Sequence, residues 1–109
     1  MPYSLRLLTF IETKLFTRLA DELLSESELL ALQVHLLAQP DIGKVIPGSG
    51  GVRKLRWALP GRGKRGGLRV IYFLRPTQEE IWLLTLYAKN VTDSISASVL
   101  RKIRASIDG

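Results

Sequence analysis

Residues 51–73 (GVRKLRWALPGRGKRGGLRVIYF) carry the side chains of this sequence that are best suited to chemistry on an anion. Arginine presents a planar fork of donors that matches phosphate oxygens, and lysine supplies a point charge or, when uncharged, a base. The segment contains no acid and seven cations, namely Arg53, Lys54, Arg56, Arg62, Lys64, Arg65 and Arg69. The segment therefore predicts a site for a phosphate-bearing ligand.

The basic excess of the chain is confined to its middle. Residues 42–78 hold nine Lys or Arg and no Asp or Glu, whereas the other residues hold seven cations and ten acids. Charge that is segregated in this way focuses a positive potential on one part of the surface. A solvated basic face is the simpler alternative, but solubility does not require the exclusion of every acid. A polyanionic partner explains the pattern better, and nucleic acid is the commonest one.

Other kinds of chemistry find little support. The sequence has no cysteine, and its single histidine, His35, lies in the middle of a predicted helix, away from the basic segment. The ten carboxylates form no ligand cluster, so we expect neither a catalytic metal nor a cofactor. The glycine motif at 61–66 (GRGKRG) runs into a predicted strand, whereas a dinucleotide-binding motif must open a helix.

Length and hydropathy predict one domain, residues 1–109. No apolar run approaches the roughly 18 residues of a membrane-spanning helix, and residues 1–14 do not resemble a secretory signal. We therefore expect a soluble cytoplasmic protein that does not contact membranes.

The periodicity predicts an α+β domain whose antiparallel sheet is covered by helices on one face. A capping box of Ser25 and Glu28 begins the second helix, and Pro40 ends it. Ser96 can cap the last helix, and residues 41–51 read as a loop rich in Gly and Pro. The predicted elements, in chain order, are a strand at 3–11, a helix at about 12–24, a helix at 26–39, strands at 52–59, 67–74 and 81–89, and a helix at 96–107.

Strand alternation predicts which side chains share the basic face. The helix-facing sets are Leu55, Trp57 and Leu59 in the first strand of the meander, Leu68, Val70, Tyr72 and Leu74 in the second, and Trp82, Leu84 and Leu86 in the third. Opposite them we expect one concave face that carries the catalytic groups Lys54, Arg56, Arg69, Tyr87 and Lys89. Neighbouring cations favour an uncharged Lys54, which makes it a candidate base. Arg56 and Arg69 would stabilise phosphorane charge, and Tyr87 or Lys89 could donate a proton.

Two stretches, residues 48–73 (GSGGVRKLRWALPGRGKRGGLRVIYF) and residues 83–90 (LLTLYAKN), resemble the RelE-type toxins of toxin–antitoxin pairs, most closely their HigB-like branch. The resemblance extends to residues 40–46 and to the order of the elements. It implies a RelE-like, curved antiparallel sheet with two N-terminal helices packed on one face and a C-terminal helix. It also implies a metal-independent endoribonuclease that cuts mRNA in the ribosomal A site, inhibits translation and binds a cognate antitoxin.

The resemblance also assigns individual residues. The basic pair of the family falls on Lys54 and Arg56, an arginine of the next strand falls on Arg69, and the lysine that ends the following strand falls on Lys89. Many relatives have an arginine directly after this lysine, whereas this chain has Asn90. A tyrosine that some relatives use near the last helix has no clear counterpart, and Tyr87 could substitute for it.

The other four cations of residues 51–73 form a second predicted group, which we expect to bind RNA or the ribosome: Arg53, Arg62, Lys64 and Arg65. Two alternatives use the same sequence features. A non-catalytic RNA- or rRNA-binding module would bind through the basic face without cleavage. A ParE-like toxin would poison gyrase, although such a protein has no use for Lys54, Arg56 and Arg69 together.

Overall fold

Five strands form one sheet in the computed structural model, which describes residues 8–58, 67–88 and 95–108. The strands are β1 (Thr9–Glu12), β2 (Lys44–Val45), β3 (Arg53–Trp57), β4 (Leu68–Arg75) and β5 (Glu80–Ala88). The helices are α1 (Lys14–Leu23), α2 (Glu26–Ala38) and α3 (Ala97–Asp108). A short 3-10 turn, Pro76–Gln78, joins β4 to β5.

The strand order across the sheet is β1-β5-β4-β3-β2. The contacts between β2 and β3, β3 and β4, and β4 and β5 are antiparallel, as the meander predicts. The edge strand β1 is added in parallel to β5, from Thr9 opposite Glu80 to Glu12 opposite Leu83. Sequence alternation did not indicate this parallel pair, because β1 and β5 are distant in the chain.

Helices α1 and α2 begin at side-chain caps. Thr13 accepts a hydrogen bond from the Phe16 amide at 3.0 Å, and its hydroxyl donates to the Leu84 carbonyl at 2.7 Å. The capping box that begins α2 is confirmed: Ser25 accepts from the Glu28 amide, and the Glu28 carboxylate accepts from the Ser25 amide. Such caps satisfy amides that have no partner inside the helix. Helix α2 ends at Ala38, two residues before Pro40.

The larger apolar cluster lies between the sheet and the first two helices. Burial of these side chains is the main favourable contribution to folding. Its buried members are Phe16, Ala20, Leu24, Leu32, Leu36, Leu55, Leu68, Val70, Tyr72, Ile81, Leu83 and Leu86. The helix-facing sets predicted for β3 and β4 are thus confirmed at Leu55, Leu68, Val70 and Tyr72.

The last helix packs on the opposite face of the sheet. Leu100 of α3 is buried with Val52, Ile71 and Phe73, and Ile103 and Ile107 pack against this second cluster. The predicted α+β fold, with two N-terminal helices on one face and a C-terminal helix, is confirmed, whereas the expectation from periodicity that helices cover one face of the sheet does not hold for α3. The apolar residues Ile71 and Phe73 of β4 point away from α1 and α2 and need a cover of their own.

A bulge in β5 changes which of its residues face α3. Ile71 pairs with Thr85 but the next residue, Tyr72, pairs with Leu83, so Leu84 has no partner on β4. Trp82 and Leu84 pack in the α3 cluster, and Leu86 packs in the cluster of α1 and α2. The expectation that Trp82, Leu84 and Leu86 share a face was wrong, because one extra residue shifts the period-two alternation.

The element boundaries agree with the predicted ones to within a few residues, apart from β2, which was predicted as loop. Ser96 accepts a hydrogen bond from the Val99 amide at 3.3 Å, as predicted for the cap of α3. Residues 3–7 of the predicted first strand lie outside the described residues. No helix in the described part of the chain is long and apolar enough to cross a membrane.

Candidate functional site

Three predicted site residues form one row across the sheet. Arg56 of β3 lies directly opposite Arg69 of β4, and Arg69 lies directly opposite Tyr87 of β5. Directly paired residues point to the same face, and neighbouring strands are about 4.8 Å apart. The row therefore places two guanidinium groups and a phenol side by side, on the sheet face that α3 partly covers.

Lys54 lies one step along β3 from this row, on the same face. Alternate residues of a strand are about 6.6 Å apart, so its ammonium can reach the same ligand as Arg56. The structure thus brings Lys54, Arg56, Arg69 and Tyr87 together, as the alternation of β3, β4 and the end of β5 predicts.

The members of the row differ in exposure. Arg56 is exposed, whereas Arg69 and Tyr87 are each only 8% exposed. Burial raises the pKa of Tyr87 above its usual value of 10.0, and the neighbouring Arg69 cation opposes this shift. Tyr87 is therefore a protonated phenol at neutral pH. A buried arginine that is held against a neutral tyrosine provides a fixed positive charge with an adjacent proton donor.

Helix α3 packs beside the row, on the same face of the sheet. Leu100 packs on the cluster that contains Ile71 and Tyr87. The Arg104 guanidinium donates to the Gly50 carbonyl at 3.0 Å and lies 4.5 Å from the centre of the Phe73 ring. Arg101 donates to the Gly48 carbonyl at 3.3 Å. These contacts join α3 to the loop before β3 and so support the strand that carries Lys54 and Arg56.

Arg53 does not join the other cations. It pairs with Tyr72, whose side chain points towards α1 and α2, and its guanidinium donates to the carbonyls of Asp41 at 3.1 Å and Gly43 at 2.8 Å. Its role in the described structure is to hold the loop before β2. We therefore leave Arg53 out of the proposed RNA surface, although it was predicted to belong there.

Sequence reasoning missed a cation at this site. Lys44 of β2 lies directly opposite Lys54, and both line a groove of about 450 Å³ together with Ile42, Leu55 and Arg56. Lys44 falls in the acid-free stretch of residues 42–78, and that was its only signal. A two-residue strand has no periodicity that a sequence pattern could reveal.

Four other predicted residues lie outside the described residues: Arg62, Lys64 and Arg65 between β3 and β4, and Lys89 directly after β5. The histidine predicted to be structural, His35, packs against Trp57 with ring centres 5.1 Å apart. Within the described part of the chain, no three acidic or histidine side chains come together in an arrangement that could hold a metal ion.

Comparisons with known proteins agree with this architecture. A family model described as the RelE toxin of the RelE / RelB toxin-antitoxin system matches residues 9–107. A chain of the intact E. coli RelBE toxin–antitoxin complex is 17% identical, with a TM-score of 0.57, and the match covers 73% of this chain and 94% of that chain. E. coli RelE in the free state, with two arginine-to-alanine substitutions, is 13% identical with a TM-score of 0.60, over 89% of this chain and 96% of that chain. At these identities the two structures show a shared fold.

Proposed function

The chain belongs to the RelE toxin family, and from this premise we propose that it is an endoribonuclease that cuts messenger RNA on the ribosome and so inhibits translation. The observation that carries the proposal is the row of Arg56, Arg69 and Tyr87, with Lys54 beside it. Cations that are gathered on one sheet face cost stability unless an anion lies among them. A phosphodiester is the anion that fits this row.

The reaction that fits these groups takes its nucleophile from the substrate. Lys54 acts as the base that removes the proton of a ribose 2′-hydroxyl, and the oxygen attacks the adjacent phosphorus. Arg56 and Arg69 stabilise the charge of the five-coordinate phosphorane. The bond from phosphorus to the 5′-oxygen breaks, and this oxygen takes a proton from Tyr87 or from Lys89. The products are a 2′,3′-cyclic phosphate and a 5′-hydroxyl.

The protonated state of Tyr87 supports its role as the acid. A general acid must carry its proton at the working pH, and the raised pKa of Tyr87 meets this requirement. Tyr87 also lies at the β5 end of the row, next to Arg69. From there its phenol would protonate the leaving 5′-oxygen from the β5 side of the phosphate. Lys89 follows Ala88 in the chain and remains the second candidate.

Membership of a toxin–antitoxin family implies a cognate antitoxin as a protein partner. The intact RelBE complex of E. coli is such a pair and supports this partner by its likeness in fold. We propose that the antitoxin of this chain blocks its activity by binding it directly. The assignment to the HigB-like branch stays a prediction.

The proposal is tested by cleavage of mRNA on programmed ribosomes. Arg56→Ala removes an exposed site cation, and Arg18→Ala removes an exposed arginine from α1, on the opposite face of the sheet. Loss of one group that stabilises transition-state charge slows catalysis by about 10²–10³-fold. We expect this loss in Arg56→Ala and a wild-type rate in Arg18→Ala.

Equal rates in both variants would contradict the proposed site. A wild-type protein that binds RNA with strong salt dependence but never cuts it would favour the non-catalytic RNA-binding alternative. A wild-type protein that leaves mRNA intact and instead inhibits gyrase would favour the ParE-like alternative.

A further inference from the structure

Two lysines face each other at the edge of the sheet with no acid between them. Lys44 of β2 pairs directly with Lys54 of β3, so both side chains point to the face of Arg56 and Arg69. Like charges directly opposite each other in a sheet destabilise it. Within the described part of the chain, neither lysine forms a hydrogen bond or an ion pair. The fold therefore keeps an uncompensated cation pair at this position.

The position of Lys44 is set by buried contacts rather than by an unrestrained loop. The Tyr72 hydroxyl donates to the Pro40 carbonyl at 2.8 Å and accepts from the Gly43 amide at 2.8 Å. Arg53 holds the Gly43 carbonyl from the other side at 2.8 Å. A Cβ at position 43 would lie 2.7 Å from the Tyr72 ring, so this close approach requires glycine.

The groove beside the two lysines has the right chemistry for one nucleotide. Lys44, Lys54 and Arg56 supply its charge, and the exposed Ile42 contributes apolar surface. A phosphate needs the cations, and a base or sugar can contact the apolar wall. The groove lies on the β2 side of Lys54, whereas the row of Arg56, Arg69 and Tyr87 extends towards β5. The same strand of RNA can therefore pass from one to the other.

We propose that Lys44 binds a second phosphodiester of the RNA, next to the one that is cut, with the flanking nucleotide in the groove beside Ile42. This inference rests on the proposed function and extends it from one phosphate to two. Lys54 would then lie between the two phosphates, opposite Lys44 and two residues from Arg56.

The test uses a single-stranded RNA oligonucleotide that one 2′-deoxy residue makes non-cleavable. Its binding is measured by fluorescence anisotropy over a range of salt concentrations. Each phosphate contact with single-stranded nucleic acid contributes about 0.7 to the slope of log affinity against log salt. We expect Lys44→Ala to reduce the slope by about this amount. Lys14→Ala, which removes an exposed lysine from the first turn of α1, is the matched control and should leave the slope unchanged.

A second RNA identifies the phosphate. With a neutral methylphosphonate at the flanking linkage, wild type and Lys44→Ala should bind equally. If the Lys44 effect persists with this RNA and disappears in excess inorganic phosphate, the lysine binds a free phosphate ion and the proposal is overturned. The same conclusion follows if Lys44→Ala and wild type have equal salt slopes on unmodified RNA, or if the wild type binds no RNA at low salt.

Failure of this inference can be distinguished from failure of the proposed function. A wild type that cuts mRNA on ribosomes while Lys44→Ala keeps the full salt slope would refute only the second phosphate site. A wild type that binds with a Lys44-dependent slope but cuts nothing would refute the endoribonuclease and keep the site.

Discussion

Replacement of Tyr72 and of Tyr87 by phenylalanine should separate stability from activity. The chemical change is the same at both positions, and both residues are buried in the sheet. The hydroxyl of Tyr72 makes two hydrogen bonds of 2.8 Å, to the Gly43 amide and the Pro40 carbonyl. The hydroxyl of Tyr87 makes none with another described residue. The two substitutions therefore remove very different interactions.

The cost of Tyr72→Phe can be worked out from these contacts. Gly43 is buried, so its amide loses its partner without access to water, which costs about 1–3 kcal/mol. Pro40 is half-buried, and water can replace the lost donor at its carbonyl, so this bond adds about 0.5–1 kcal/mol. We expect the free energy of unfolding to fall by about 2–3 kcal/mol, which corresponds to a melting temperature lower by roughly 10 °C in a domain of this size. Tyr87→Phe should lower the free energy of unfolding by less than about 0.5 kcal/mol.

Urea denaturation followed by circular dichroism measures the first effect, and mRNA cleavage on programmed ribosomes measures the second. Loss of a general acid slows a reaction by about 10²–10⁴-fold, so Tyr87→Phe should be folded and nearly inactive. Tyr72→Phe should be less stable and still cut RNA at saturating concentration. Equal losses of stability in the two variants would refute the assignment of Tyr72 as the anchor of the 40–43 loop. Full activity in Tyr87→Phe would transfer the role of acid to another group.

Three further predictions follow from the same structure. Expression of the chain without its antitoxin should arrest bacterial growth, and Lys54→Ala should relieve the arrest while Lys14→Ala should not; normal growth with abundant folded wild-type protein would contradict this. Neutralisation of the three cations of segment 61–66 should weaken RNA binding and flatten its salt dependence without a change in the cleavage rate of saturating substrate, since glycine-flanked segments are poorly suited to hold catalytic groups. Burial raises the pKa of both Tyr72 and Tyr87, so the unfolded chain loses these protons first and the folded state should lose stability as the pH rises above about 10; urea midpoints that stay constant through this range would contradict it.

The parts of the site that sequence predicted are those governed by strand alternation. Lys54 and Arg56 are two residues apart, and Arg69 alternates with Val70, so their common face could be inferred before their register was known. Tyr87 was also placed on the correct face, although the bulge at Leu84 invalidated the same alternation for Trp82, Leu84 and Leu86. The correct assignment of Tyr87 came from the residues after the bulge, where the period of two is restored.

The parts that sequence could not predict depend on contacts between distant segments. The pairing of β1 with β5 joins residues about seventy positions apart, and no local pattern specifies it. The two residues of β2 form a strand by pairing with β3, next to a loop that Tyr72 and Arg53 contact, so Lys44 could not be identified from sequence as a neighbour of Lys54. The sequence showed the apolar residues along one side of α3. It did not show which face of the sheet α3 would cover, because the apolar residues of β4 lie on both faces.

In the proposed reaction the RNA supplies the attacking oxygen, and a single deoxy substitution removes that oxygen. An mRNA with a 2′-deoxy residue on the 5′ side of the scissile phosphate is compared with the all-ribose mRNA on programmed ribosomes, and the product ends are identified. We expect the deoxy mRNA to stay intact and the ribose mRNA to give a 2′,3′-cyclic phosphate or its 3′-phosphate together with a 5′-hydroxyl. Equal cleavage of both RNAs, or products with a 5′-phosphate and a free 3′-hydroxyl, would contradict the mechanism assigned to Lys54, Arg56, Arg69 and Tyr87.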